Sequence, residues 1–272
     1  MTSSQLEKAN RFRALHQEPG FFVIANAWDA GSARILSGLG FQALATSSGA
    51  SAGVLGRRDG MVTRQEALDQ ACAIVAATDL PVSADLENGY AYEPAAVAET
   101  IRLGIEVGLA GGSVEDFTGQ EDDPIYGHQV AAERVAAAAQ AAHEGPVGFV
   151  LTARAENYLH GRPDLADTIA RLQAYQEFGA DVLYAPGLRD IADIRTLVRE
   201  VDRPVNVLAI GGAPPVPELA EAGVARISVG GSFAFAALGA LVDAATELRD
   251  QGTYGYAAAS AAGRRAAVHA FG

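Results

Sequence analysis

Cysteine is nearly missing from this chain: Cys72 is the one example in 272 residues. No disulfide can form within it, and a reducing compartment is the expectation. Positive charge is also scarce, with 20 Lys and Arg against 33 Asp and Glu, a formal net charge of −13. Such a surface repels phosphate backbones and anionic lipid, so neither nucleic acid nor membrane is expected as a partner. No apolar run is long enough to span a bilayer, and Met1 to Asn10 is polar, without a signal-peptide core. A cytoplasmic location follows as an expectation. The sequence also has no low-complexity linker, no short repeat, and no dinucleotide-binding glycine fingerprint after its first apolar run.

What remains is 49% hydrophobic and 19% charged. That suffices for one large core and falls in the size range of a single α/β barrel. Short apolar strands alternate with helix-period segments. Strands are expected at 21–25, 41–46, 80–82 (running on into the carboxylates Asp85 and Glu87), 110–114, 147–152, 181–184, 204–208 and 224–229. Helices are expected between them, one of them capped by Thr63 with Glu66. In that helix Leu68, Cys72 and Val75 lie at helical spacing, which makes Cys72 a core thiol. Eight βα units in succession predict a closed (β/α)8 TIM-type barrel, read as one domain over 1–272 with 253–272 as a C-terminal helical extension.

The polar residues gather at strand C-termini: Asp29, Ser48, Asp85, Glu87, Glu115, Arg154, Glu156 and Asn206. In such barrels that face carries the chemistry. Residues two apart in an extended chain point the same way, so Asp85 and Glu87 are expected to project together. Adjacent carboxylates repel unless a proton or cation lies between them. A hard, oxygen-loving ion such as Mg²⁺, or Mn²⁺ in its place, satisfies that requirement.

The motifs in order are Asn26-Ala-Trp-Asp-Ala-Gly-Ser-Ala-Arg34, Ser48-Gly49-Ala50, Asp59, Ala84-Asp85-Leu-Glu87-Asn-Gly-Tyr90, Val114-Glu115-Asp116, Ala153-Arg154-Ala-Glu156 and Gly179-Ala-Asp181. With these the chain resembles the isocitrate lyase and phosphoenolpyruvate mutase superfamily from about Phe21 to about Ser232. The resemblance implies a Mg²⁺-dependent barrel whose ligand is a small 2-oxo acid of the pyruvate, oxaloacetate or 2-oxoglutarate type. It also implies homotetramers, dimers of dimers, that exchange a C-terminal helix, for which Ala257 to His269 is the candidate, with a simple barrel-capping helix as the alternative. Carried over, Asp85 is the direct metal ligand, and Glu87, Glu115 and Asp59 hold the metal's waters. Ser48, Gly49 and Ala50 supply backbone N–H groups to a substrate carboxylate. Arg154 faces the developing negative oxygen, and its bland alternative is a salt bridge to Glu156. Asn206 and Trp28 are further candidate substrate contacts, Trp28 by packing beneath the site.

The chain also departs from that pattern. The lyases of the family carry a catalytic cysteine after the fourth strand; here Thr118 to His128 has none. It also lacks the lysine and asparagine of the mutases and phosphonate hydrolases. Glu87 stands where aspartate is usual. Within this loop Tyr126 and His128 are the candidate proton donors, with a plain surface-loop role as the alternative. The leading expectation is a carbon–carbon lyase or decarboxylase working through an enolate. Phosphorus–carbon bond chemistry and a non-catalytic 2-oxo acid binder are the alternatives. The glycine pairs Gly211-Gly212 and Gly230-Gly231 also suit a phosphate.

Overall fold

The computed structural model describes residues 4–272. Eight parallel strands close on themselves in sequence order. They are β1 (Phe22–Asn26), β2 (Leu44–Ala45), β3 (Val82–Asp85), β4 (Gly111–Glu115), β5 (Val150–Arg154), β6 (Val182–Tyr184), β7 (Val205–Leu208) and β8 (Arg226–Ser228). β8 returns to β1 through Phe22 opposite Arg226 and Ile24 opposite Ser228. This is the (β/α)8 barrel the alternation predicts. No helix among the described residues is long and apolar enough to cross a membrane.

Helices α1 (Gln5–Gln17), α2 (Ala30–Gly38), α3 (Ser48–Val54), α4 (Arg64–Ala76), α5 (Pro94–Glu106), α6 (His128–His143), α7 (Leu165–Glu177), α8 (Ile191–Glu200) and α9 (Val216–Glu221) precede or link the strands. α10 (Ser232–Gln251) and α11 (Ala257–Phe271) follow β8. The Thr63–Glu66 capping box starts α4 as expected. Asp29, expected among the polar strand-end residues, is instead the N-cap of α2, where it accepts the Ser32 N–H at 2.6 Å.

Two local expectations change. β2 shrinks to two residues, and Ser48 to Ala50, read as loop, begin the short helix α3. The buried face of α4 is Leu68, Ala71 and Ile74, and Cys72 is exposed. Spacings of three and four both satisfy a helical stripe. The small Ala71 at i+3 turns inward, which rotates the thiol at i+4 out to solvent.

The barrel foot is closed by α1. Phe12 meets Phe22 edge to face at 6.3 Å, and His16 meets Phe22 at 4.9 Å. Phe12 fits because β4 opens with glycine. A Cβ on Gly111 would lie 2.7 Å from both the Phe12 ring and the Val150 carbonyl oxygen. The backbone atom cannot give way, so the position has to be bare. At the other side α11 packs along α2, with Ala270 against Gly38 and Phe271 against Gly31. α10 buries only Ala234 and leaves Phe235, Leu238, Leu241 and Val242 exposed.

Candidate active site

The C-terminal ends of the strands surround a cleft of about 190 Å³ that runs down into the barrel. Ser48, Asp59, Asp85, Arg154, Asn206, Tyr184 and Arg226 are among its lining residues. At its mouth Arg154, the last residue of β5, is a hub. Its Nη1 lies 2.9 Å from Asp85 Oδ1, its Nη2 3.0 Å from Glu115 Oε2, and its Nε 2.8 Å from Glu156 Oε1. The salt bridge to Glu156 is therefore present, and it is one of three. Burial alone would push the Arg154 guanidinium toward neutrality; the three carboxylates outweigh it and hold the group far above its ordinary range.

Asp85 ends β3. Its Oδ2 accepts the Ser48 N–H at 3.1 Å, and its Oδ1 accepts the Glu87 N–H at 3.2 Å. Burial opposes its charge, but Arg154 and these N–H groups win and keep the carboxyl below the usual range. The strand alternation expected to align Asp85 with Glu87 stops at Asp85. Glu87 and Tyr90 both adopt left-handed backbone, with φ of 47° and 56°. Non-glycine residues rarely do so, and such strain persists only where the surroundings enforce it. Here Arg134 enforces it. This guanidinium is 1% exposed and donates to the carbonyls of Asn88, Ala91 and Tyr92. The clamped turn directs the Tyr90 hydroxyl to Glu87 Oε1 at 3.2 Å.

The mouth carries surplus negative charge. Asp59, Asp85, Glu87, Glu115 and Glu156 face one guanidinium. Burial, then Asp85 and Asp59, push Glu87 up to about 7. Glu115 is also raised, first by burial and despite Arg154. Asp59 belongs to the same cluster: its Oδ2 lies 3.1 Å from where a Gly49 Cβ would be, so a side chain there would crowd it.

This donor set suits a hard divalent cation. Among the described residues no group of three or more His, Cys, Asp or Glu side chains forms a ready-made metal cage. Hard divalent ions such as Mg²⁺ keep several waters and take only one or two protein carboxylates. Asp85 would be the direct ligand, with Glu87, Asp59 and Glu115 around the waters. The N–H groups of Gly49 and Ala50 have no acceptor among the described residues, which leaves them open to a ligand carboxylate.

Three candidates, Trp28, Tyr126 and His128, lie elsewhere. Trp28 and Ala50 side chains line a separate groove against Phe235, Leu238 and Leu241 of α10. Tyr126 is 8% exposed, with its ring 4.3 Å from the Arg134 guanidinium. His128 opens α6, and its Nε2 lies 2.6 Å from Asp167 Oδ1. Neither Tyr126 nor His128 is among the residues lining the cleft. The loop that carries them is tied down by the Phe117–Ile125 bridge and by Arg171, which donates to the Tyr126 carbonyl at 2.7 Å. Sequence reasoning had passed over Arg134 and Arg226. A charged residue inside the apolar run Val224 to Val229 was the available signal for the second.

Comparisons with known proteins agree with this architecture. The family model for phosphoenolpyruvate phosphomutase matches residues 12–249. A Burkholderia cenocepacia crystal structure, provisionally described as a lyase/mutase, superposes with a TM-score of 0.94 at 53% identity, covering 96% of this chain and 95% of that one. An oxaloacetate decarboxylase of Marinomonas is 30% identical over 91% of this chain and 88% of its own length. A 2-methylisocitrate lyase of Halalkalibacterium halodurans is 31% identical over 78% and 71%. The barrel, the acid-rimmed mouth and these matches together place the chain in the phosphoenolpyruvate mutase family, within the superfamily it shares with the isocitrate lyases.

Proposed function

We propose that the protein is a Mg²⁺-dependent lyase of small 2-oxo acids, and that decarboxylation of an oxaloacetate-type substrate is its reaction. The observation that carries this reading is the Arg154 hub beside surplus carboxylate, at a barrel mouth with free backbone N–H groups. Breaking the bond to a carboxyl group next to a ketone leaves an electron pair that must spread onto the keto oxygen. When bound, the metal supplies a Lewis acid at that oxygen. Arg154 contributes a fixed positive charge at the same edge, and its three carboxylate partners keep it from turning away. Gly49 and Ala50 N–H groups orient the substrate's first carboxylate. Tyr184 lines the cleft, and burial, only partly offset by Arg154, pushes its hydroxyl up to about 12. It therefore keeps its proton on Oη at neutral pH and is a better placed donor to the enolate carbon than Tyr126 or His128.

The related decarboxylase supports the substrate class. Phosphorus–carbon chemistry is the second reading: the exposed acidic run Glu121-Asp122-Asp123 would repel a phosphonate unless it folds away, and none of its three residues lines the cleft. The test is incubation with oxaloacetate, with and without Mg²⁺, following pyruvate. Metal-dependent pyruvate formation well above the background of free Mg²⁺ is expected. Tight 2-oxo acid binding without turnover across a substrate panel would instead identify a binding protein.

The same reading extends to assembly. The exposed apolar row of α10 suits a neighbouring subunit, and exchange of α11 would place a neighbour's helix on the α2 surface. A homotetramer is the expected species by light scattering, and a monomeric mass at micromolar concentration would refute it.

A further inference from the structure

Below the mouth the cleft ends on a second guanidinium that the proposed chemistry does not use. Arg226 projects from β8 into the barrel, is 5% exposed and lines the cleft. The other arginine of the cleft, Arg154, meets three carboxylates. Arg226 meets none. Its Nε donates to Asn206 Oδ1 at 2.9 Å, Nη2 to Thr152 Oγ1 at 3.0 Å, and Nη1 to His16 Nε2 at 3.3 Å. His16 is a neutral acceptor: burial, then Arg226, push its pKa down to about 3, and its Nδ1 bonds the Phe12 carbonyl at 2.8 Å. A guanidinium carries five N–H donors. Three are used here, so two have no acceptor among the described residues.

A buried charge with only neutral partners is costly. Its surroundings are arranged to tolerate it: Ser83, Ser113, Asn206 and Ser228 line the same cleft, where barrel interiors usually carry branched apolar side chains. Thr152 lies two residues before Arg154 on β5, one strand repeat of roughly 7 Å deeper. A short dicarboxylic acid spans such a step. We infer that the cleft floor is a second anion subsite, in which Arg226 takes the far carboxylate of a short 2-oxo dicarboxylate. Asn206 and Thr152 aim the guanidinium, and the subsite selects dicarboxylates over monocarboxylates. The inference rests on the 2-oxo acid reading of the mouth.

Calorimetry in Mg²⁺ tests it with matched ligands. The difluorinated analogue of oxaloacetate and 2-oxoglutarate are titrated against 2-oxobutyrate and 2-oxovalerate, which have the same chain lengths without the far carboxylate. At least one dicarboxylate is expected to bind at least about tenfold tighter than its monocarboxylate match. Arg226→Gln is expected to erase that preference and leave monocarboxylate affinity near its original value. Asn206→Asp guards against a misfolded Arg226 variant. It gives the guanidinium a carboxylate of its own and is expected to erase the preference too, with a cooperative melting transition as the check that the barrel stays folded. Equal affinity of the matched pairs in the unmodified protein, or a preference that survives Asn206→Asp, would overturn the floor subsite alone. Failure of all four ligands to bind would overturn the mouth reading and the subsite with it.

Discussion

Arg154→Met is expected to lower oxaloacetate turnover by about a hundredfold or more, the usual cost of removing one fixed donor from a developing oxyanion. The same change strips the counter-ion from Asp85, Glu115 and Glu156, all largely buried. Breaking a buried pair by removing one partner costs about 3–5 kcal/mol. Acid can take over part of the lost role, because a protonated glutamic acid needs no counter-ion. The loss of melting temperature should therefore be larger at about pH 8 than at about pH 5. Arg154→Lys keeps the charge but presents one point donor where a planar fork now reaches three acids, so it should recover little turnover. Turnover within about tenfold of the unmodified protein after Arg154→Met would remove this residue from the chemistry.

Mg²⁺ should stabilise the fold strongly in alkaline buffer and weakly in acid. The sign follows from Glu87, whose pKa rises from an ordinary 4.5 to about 7 on folding, through burial and then through Asp85 and Asp59. Between those values the folded chain binds more protons than the unfolded one. The group's contribution to stability is complete below about 4.5 and is lost as pH rises through about 7. A divalent cation replaces the missing proton. Melting temperatures with and without Mg²⁺ should thus diverge between about pH 5 and about pH 8. Asp85→Asn should close that gap at every pH by weakening the direct ligand. An equal Mg²⁺ effect at both ends of the range would show that the ion does not sit among these acids.

The barrel was legible because eight apolar runs separated by helix-period segments leave few other topologies. The acids and Arg154 were legible for a related reason, since a charged residue at the end of a buried strand has little else to do. Other features depend on partners far along the chain. His128 looked like a free loop imidazole because its partner, Asp167, lies 39 residues away on another helix. Tyr126 read as a candidate proton donor because nothing local announces the Arg134 guanidinium packed on its ring. Periodicity could not phase α4, since Ala71 and Cys72 both continue the stripe from Leu68. The left-handed backbone at Glu87 was hidden as well. Only Gly89 in that turn advertises such a conformation, and the clamp that imposes it comes from α6.

The outward rotation of Cys72 on α4 has a practical outcome. A molecule with a single accessible sulfhydryl can be coupled through it to one other molecule and no more. Oxidative damage should therefore yield covalent pairs on a non-reducing gel and no ladder of longer species. A maleimide dye should attach once per polypeptide, on the outer wall of the barrel and away from the cleft.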